Sequence, residues 1–255
     1  MKIVLSAILI CLFSMTFETL AQSRPVVKRS AVTTSKPREI GQTAVVMDET
    51  LSVLRQKPSL FAEPIQRMRR GRQVRILGVT EADGVKFYRV AALPSGSGWV
   101  QADSIFGRFR EGDDARLAKL VQSMNGFDQI EAAVEFFTLY PTSQFRPAML
   151  LLFGDLLEEA AAKLSKDAAS RLDRREMAAS AAPLHSYYLN FVSLDRYRKL
   201  GILFLFNSST RQFHYDGASW SELTKKFPGT PEAAEAQKRL DSLTQKMAKK
   251  AAGAN

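Results

Sequence analysis

Between Leu51 and Ile105 short apolar and β-branched runs are separated by turn residues at short, regular spacing. That pattern predicts a small all-β unit. Leu51 to Arg55 is a strand candidate, and Arg70-Gly71 is a turn. Gln73 to Thr80 is the next strand, with Val74, Ile76 and Gly78 assigned to one face. Ala82-Asp83-Gly84 is a tight turn, because Asp-Gly tolerates positive φ. Phe87 to Ala92 is a strand, Pro94 to Gly98 a turn, and Trp99 to Gln101 a short strand. Gln56 to Gln66 is left as a long loop carrying Phe61.

After the polar stretch Arg108 to Asp114 the period lengthens and strand formers give way to Ala, Leu, Glu, Lys and Arg. Helices are predicted over Ala115–Met124, Phe127–Tyr140 and Phe145–Leu164, with Pro141 ending the second. The third is apolar on most sides near Leu150 to Phe153, which makes it the central buried helix. Asp167 to Ala182 and His185 to Arg198 are further helices. Ile202 to Phe206 and Arg211 to Tyr215 form a hairpin, with a helical alternative open for the first run. Trp220 to Phe227 is helical and Pro228 stops it. Thr230 caps a last helix that begins at Pro231, where proline's missing N–H costs nothing.

The pieces LSVLRQKP (Leu51 to Pro58), RMRRGRQVRILG (Arg67 to Gly78), FYRV (Phe87 to Val90) and the closing GWVQADSI (Gly98 to Ile105) resemble the bacterial SH3 family of extracytoplasmic proteins. That resemblance covers about a fifth of the chain. It implies a five-to-six-stranded barrel that binds peptides or cell-wall material without catalysis. Further on, LYPTSQFRPA (Leu139 to Ala148) echoes KFPGTPEAAE (Lys226 to Glu235), each a helix, an aromatic-Pro stop, a capping residue and a second helix. This is similar to the tetratricopeptide-like repeats of periplasmic Tol–Pal coordinator and outer-membrane assembly lipoproteins. Small residues at Ala148 and Gly154 fit close helix approach. Pro141 and Pro228 lie 87 residues apart, not a multiple of a 34-residue period, so a regular array is excluded.

The expected fold class is therefore α+β multidomain: a small all-β SH3-like barrel over 44–107, then a tetratricopeptide-like helical hairpin domain over 115–250 with a β-hairpin insertion near 165–215. The two are expected to fold separately, with the break between Ile105 and Ala115. In front of them Lys2, the apolar run Ile3 to Phe17 and Thr19-Leu20-Ala21 read as a secretory signal cleaved after Ala21, with an uncleaved anchor as the rival. The expected location is periplasmic or secreted. Residues 22–43 carry Pro25, Pro37 and several Ser and Thr, and read as a flexible basic linker.

Charge narrows the partners. The net charge is +10, and loss of residues 1–21, with Lys2 and Glu18, leaves it unchanged. Arg67, Arg69, Arg70, Arg72 and Arg75 form a cluster in the β domain. Such a surface either keeps the protein soluble or favours anionic partners. In an exported protein these are acidic glycans, lipid headgroups or acidic proteins, with no nucleic acid expected and membrane contact only peripheral. Cys11 is the one cysteine, and it sits inside the signal run, preceded by Ile10, so the mature chain has neither disulfide nor thiol nucleophile.

Candidate chemistry is sparse. His185 and His214 lie 29 residues apart without metal-ligand spacing, so no metal and no cofactor is expected. His214 and Asp216 share a strand face, but Asp216-Gly217 reads as a turn. Glu158-Glu159 and Asp113-Asp114 read as solvated helix charges. The candidate ligand surface comprises Phe61, Arg67, Arg69, Arg70, Arg72, Tyr88 and Trp99. For Tyr88 and Trp99 two readings stand, lining a peptide groove or completing a small core. Three function classes remain. The first is an exported, non-enzymatic adaptor that contacts peptidoglycan or an envelope protein. The second is an accessory protein of a wall-hydrolase system. The third is a basic protein that binds anionic glycan or lipid surfaces.

Overall fold

The computed structural model describes residues 37–171 and 184–248, which belong to one compact unit spanning Lys36–Asn255. The signal segment, most of the basic linker and residues 172–182 of the helix expected over Asp167 to Ala182 lie outside the described residues. The described architecture is mixed: a seven-stranded antiparallel sheet followed by helices, with a two-stranded hairpin among them.

The strands are β1 (Thr43–Val46), β2 (Val53–Arg55), β3 (Pro64–Arg67), β4 (Gln73–Ala82), β5 (Val85–Ala92), β6 (Ser97–Gln101) and β7 (Ile105–Phe106), in the order β3-β2-β6-β5-β4-β1-β7. The expected barrel is corrected here: β3 and β7 end the order and are not paired with each other, so the sheet is open. β1, β3 and β7 have no counterpart in the sequence reading. Each is four residues or fewer, too short for alternation to register. The β4–β5 turn is as expected, with Asp83 at φ 53° and Gly84 at φ 71°.

One face of this sheet is a core of Val46, Leu54, Val74, Ile76, Tyr88, Val90, Val100 and Ile105. A register shift between Ile76 and Gly78 makes Leu77 an extra residue in β4. Gly78 therefore leaves the face of Val74 and Ile76, where alternation had put it, and turns to the opposite side.

The helices are α1 (Asp113–Ser123), α2 (Gly126–Leu139), α3 (Arg146–Arg171), α4 (Leu184–Leu189), α5 (Asp195–Arg198), α6 (Ala218–Lys226) and α7 (Pro231–Ala248). β8 (Phe204–Asn207) and β9 (Gln212–Tyr215) lie between α5 and α6. The predicted break after Leu164 does not occur, since α3 runs unbroken to Arg171. The helix expected over His185 to Arg198 is interrupted instead at Asn190-Phe191, before a short 3-10 turn at Val192–Leu194. The hairpin prediction holds, with alternation deciding which residues pack. Ile202 is buried and Phe206 stacks on Tyr188 at 4.5 Å, while Leu203 and Leu205 face outward.

The sheet and the helices share a core. Val45, Met47 and Phe106 are buried in the same cluster as Leu117, Phe136 and Met149. The junction is also knotted by charge. The Asp113 carboxylate is fully buried and accepts from Arg110 Nε at 2.6 Å, Arg116 Nη1 at 2.5 Å and the Gly107 N–H at 3.3 Å. Arg110 Nη2 donates to the Ala102 and Ile105 carbonyls. Arg108 donates to the Thr138 and Leu139 carbonyls at the end of α2, where orphaned acceptors need partners. Two arginines of the polar junction are thus structural. Under native conditions trypsin is expected to spare the bonds after Arg108 and Arg110. If limited digestion yields a sheet fragment and a helical fragment as its first products, the junction opens before the rest of the fold.

Candidate functional site

The seven predicted ligand residues separate into two groups. Phe61 is 89% exposed. It stands on a loop held at two points. Asp83 accepts from Ser59 Oγ at 2.7 Å and from the Leu60 N–H at 2.8 Å, and Arg55 Nη1 donates to the Ala62 carbonyl at 2.7 Å. A pinned loop keeps a large apolar ring in water, at a cost that a partner's surface would relieve. The hydrogen bonds from Ser59 and Leu60 hold the Asp83 carboxyl below the usual carboxylate range.

Trp99 lies on the outer face of the sheet, opposite the core. It pairs with Arg55 of β2 and with Arg89 of β5, and Arg89 pairs with Gly78 of β4. The row across four strands is thus Arg55, Trp99, Arg89, Gly78. A methyl on Gly78 would sit 4.0 Å from Trp99 Cη2, so the indole reaches across Arg89 towards the glycine. The core reading of Trp99 gives way: the ring is half-buried on the solvent side. Arg69 is exposed, and exposed Arg67 donates from Nη1 to the Glu49 and Thr50 carbonyls.

Three predicted residues are taken up by the fold. Tyr88 is fully buried, edge-on to Phe109, and cannot line a groove. Its strand position places it on the face opposite Trp99, and burial pushes its phenol up. Arg70 is a strut between sheet and helices. Its side chain is 12% exposed, 3.6 Å from the Asp128 carboxylate and 3.8 Å from Glu131 on α2. Arg72 Nη2 donates to the Ser95 carbonyl at 2.7 Å and braces the β5–β6 turn. Sequence proximity had grouped these arginines, but they occupy β3, the following turn and β4, whose side chains leave in different directions.

Charge balance leaves most arginines of the sheet without a carboxylate partner. Among the described residues, Arg55, Arg67, Arg69, Arg72, Arg75 and Arg89 form no ion pair, while Arg70, Lys86 and Arg110 do. Sequence reasoning missed Arg55 and Arg89. Both lie on the Trp99 face only once the strands are registered, and the register is not written in the chain.

The helical half offers a different picture. A cleft of about 630 Å3 lies between the start of α2, the second half of α3 and residues 192–197. Its charged groups are already matched: Lys163 pairs with Glu159, Arg171 with Asp167, and the Arg196 guanidinium lies 4.6 Å over the Phe127 ring. Glu158 is not the solvated helix charge the sequence implied. It accepts from His214 Nδ1 at 2.9 Å, Lys246 Nζ at 2.7 Å and the Tyr215 N–H at 2.9 Å. Burial pushes its carboxyl up, but these three donors outweigh it and hold the pKa at about 2. An ionised carboxylate can only accept, so His214 carries its proton on Nδ1. The group ties α3, β9 and α7 together. Among the described residues no group of three or more His, Cys, Asp or Glu is placed to hold a metal ion, and no helix is long and apolar enough to cross a membrane.

Comparison with protein-family models finds no match, and neither a curated protein nor a solved structure matches the chain.

Proposed function

We propose that this is a non-enzymatic binding protein of the cell envelope. Its SH3-like β domain contacts cell-wall peptidoglycan or an envelope protein, and its tetratricopeptide-like helical domain acts as a scaffold for a protein partner. The exported location rests on the Lys2, apolar-run and Thr19-Leu20-Ala21 order of the first residues. The carrying observation is the pinned, 89% exposed Phe61 beside a sheet face whose arginines lack carboxylate partners. Such an arrangement supplies an apolar anchor and uncompensated positive charge, which is what a binding surface for anionic envelope material needs. The helical cleft, with its charges already paired, is better suited to support than to capture.

Phe61→Ala in the full chain is expected to weaken retention on intact cell-wall sacculi at least about tenfold, as loss of an exposed aromatic anchor does, with the melting temperature little changed. Arg69→Glu is expected to weaken it less and in a salt-dependent way. Arg70→Glu behaves differently, since it sets a carboxylate against Asp128 and Glu131 and lowers stability instead. Undiminished retention by Phe61→Ala would remove Phe61 from the binding surface. The unpaired arginines also favour a second reading, a basic protein held on anionic glycan or lipid surfaces. Retention that vanishes at high salt and ignores Phe61→Ala would select it.

A further inference from the structure

The outer face holds more than the pinned phenylalanine. Ser97 and Trp99 alternate on β6, Ala91 and Arg89 on β5, and the pairing Ser97–Ala91–Arg75 forms the next row on the same side. Trp99 is therefore bordered by small residues, Gly78, Ala91 and Ser97, and by three arginines, Arg55, Arg75 and Arg89, none in an ion pair among the described residues. The bulge at Leu77 is what brings Gly78 into this row, where even a methyl would reach Arg89 Cβ at 3.5 Å and the indole edge at 4.0 Å, and the glycine leaves that edge uncovered.

We propose that this face binds a glycan whose sugars carry carboxylates, one ring stacked on Trp99 and its acid groups held by the exposed Arg89 and Arg75, with Arg55, whose Nη1 already holds the Ala62 carbonyl, adding positive charge at the edge. This rests on the β-domain reading above and names its ligand chemistry. An indole offers a flat apolar face to the C–H side of a sugar ring, while the ring's hydroxyls stay in water. Guanidinium groups match carboxylates in a bidentate fork, and those on the neighbouring strands stand roughly 5 Å to either side of the indole. A peptide would require pockets for its side chains, and Gly78, Ala91 and Ser97 wall none on one side of Trp99, while Phe87 on the other side of the same face is fully buried. Single-stranded nucleic acid takes successive stacking platforms, and the two rows hold one aromatic residue.

The test uses the full chain and four probes: penta-galacturonate, the same oligosaccharide with its carboxyls reduced to alcohols, penta-glutamate and a single-stranded DNA oligonucleotide. Intrinsic fluorescence and calorimetry are both read. The chain has two tryptophans, and Trp220 is 2% exposed, so a ligand-induced emission change reports Trp99. Penta-galacturonate is expected to bind saturably with a change in emission that Trp99→Phe abolishes. Arg89→Glu, at an exposed position, is expected to weaken binding about tenfold or more, and the reduced oligosaccharide to bind at least tenfold more weakly. Equal affinity for penta-glutamate or DNA, or for the reduced sugar, overturns the assignment. So does binding that leaves Trp99 emission unchanged. Retention on sacculi without galacturonate binding sinks this inference and spares the wall-binding reading. Galacturonate binding at Trp99 without retention on sacculi sinks that reading alone.

Discussion

Gly154→Ala is expected to lower the melting temperature of the full chain by roughly 6–12 °C, the shift that about 3 kcal/mol of overpacking produces in a domain of this size. The added methyl would sit 2.2 Å from Trp220 Nε1, 2.6 Å from Cε2 and 2.8 Å from Ser219 Oγ. None of these can retreat cheaply. Trp220 is almost fully buried and meets Tyr215 edge-on at 5.4 Å, while the Tyr215 hydroxyl accepts from the Ser219 N–H at 2.8 Å. The glycine therefore sets how closely α3 approaches α6, and helix propensity, which favours alanine by about 1 kcal/mol, is overruled by sterics. Thermal melts of Gly154→Ala, Trp220→Phe and the double variant check the cause. If the indole is the obstacle, the two changes are not additive and the double variant melts above the sum of the single losses. A Gly154→Ala protein melting within about 2 °C of the parent would mean that the helices slide apart at little cost.

Acid should destabilise the fold through Glu158. Its carboxyl titrates at about 2 in the folded chain against an ordinary 4.5, so the folded state binds fewer protons than the unfolded one through that range. The stabilisation is complete above pH 4.5 and is lost as pH falls towards 2, amounting to about 3 kcal/mol. Glu158→Gln keeps the shape and discards the charge, leaving His214 and Lys246 with a neutral partner. Denaturant unfolding of the two proteins from pH 7 down to pH 2 is the measurement. The variant is expected to be less stable at neutral pH and to converge on the parent as the acid limb is descended. A constant difference across the whole range would place the role of Glu158 in packing rather than in charge. Glu39 and Glu222 are also held below the usual range, by hydrogen bonds opposed by burial, so both proteins share a residual slope.

Much of the element order was written in the chain. The Asp83-Gly84 turn, the proline stops at Pro141 and Pro228, the hairpin near Asn207 and the start of the last helix at Pro231 are local signals. Each depends on a φ preference or a missing N–H that neighbours within a few residues reveal. The small residue at Gly154 was readable as a place of close approach, though not that Trp220 is what approaches.

The candidate site was readable only in part. Phe61 was selected as an aromatic residue in the long loop Gln56 to Gln66, and its exposure agrees. Three of its companions were misassigned because adjacency in sequence is not adjacency on a sheet. Tyr88 and Trp99 look alike in the chain, but they occupy opposite faces, and a one-residue bulge at Leu77 decides that Gly78 joins the tryptophan rather than the core. Arg70 and Arg72 carry the same charge as Arg69, yet their partners, the carboxylates of α2 and the carbonyl of Ser95, are brought to them by folding. Composition and short-range stereochemistry determined which segments became strands and helices. The sharing of a core between sheet and helices, the pairing of Glu158 with groups 56 and 88 positions away, and the choice of which arginines remain unpaired were decided by tertiary structure alone. Long-range charge and packing partners meet only after the chain has closed on itself, and no local preference encodes which of them will meet.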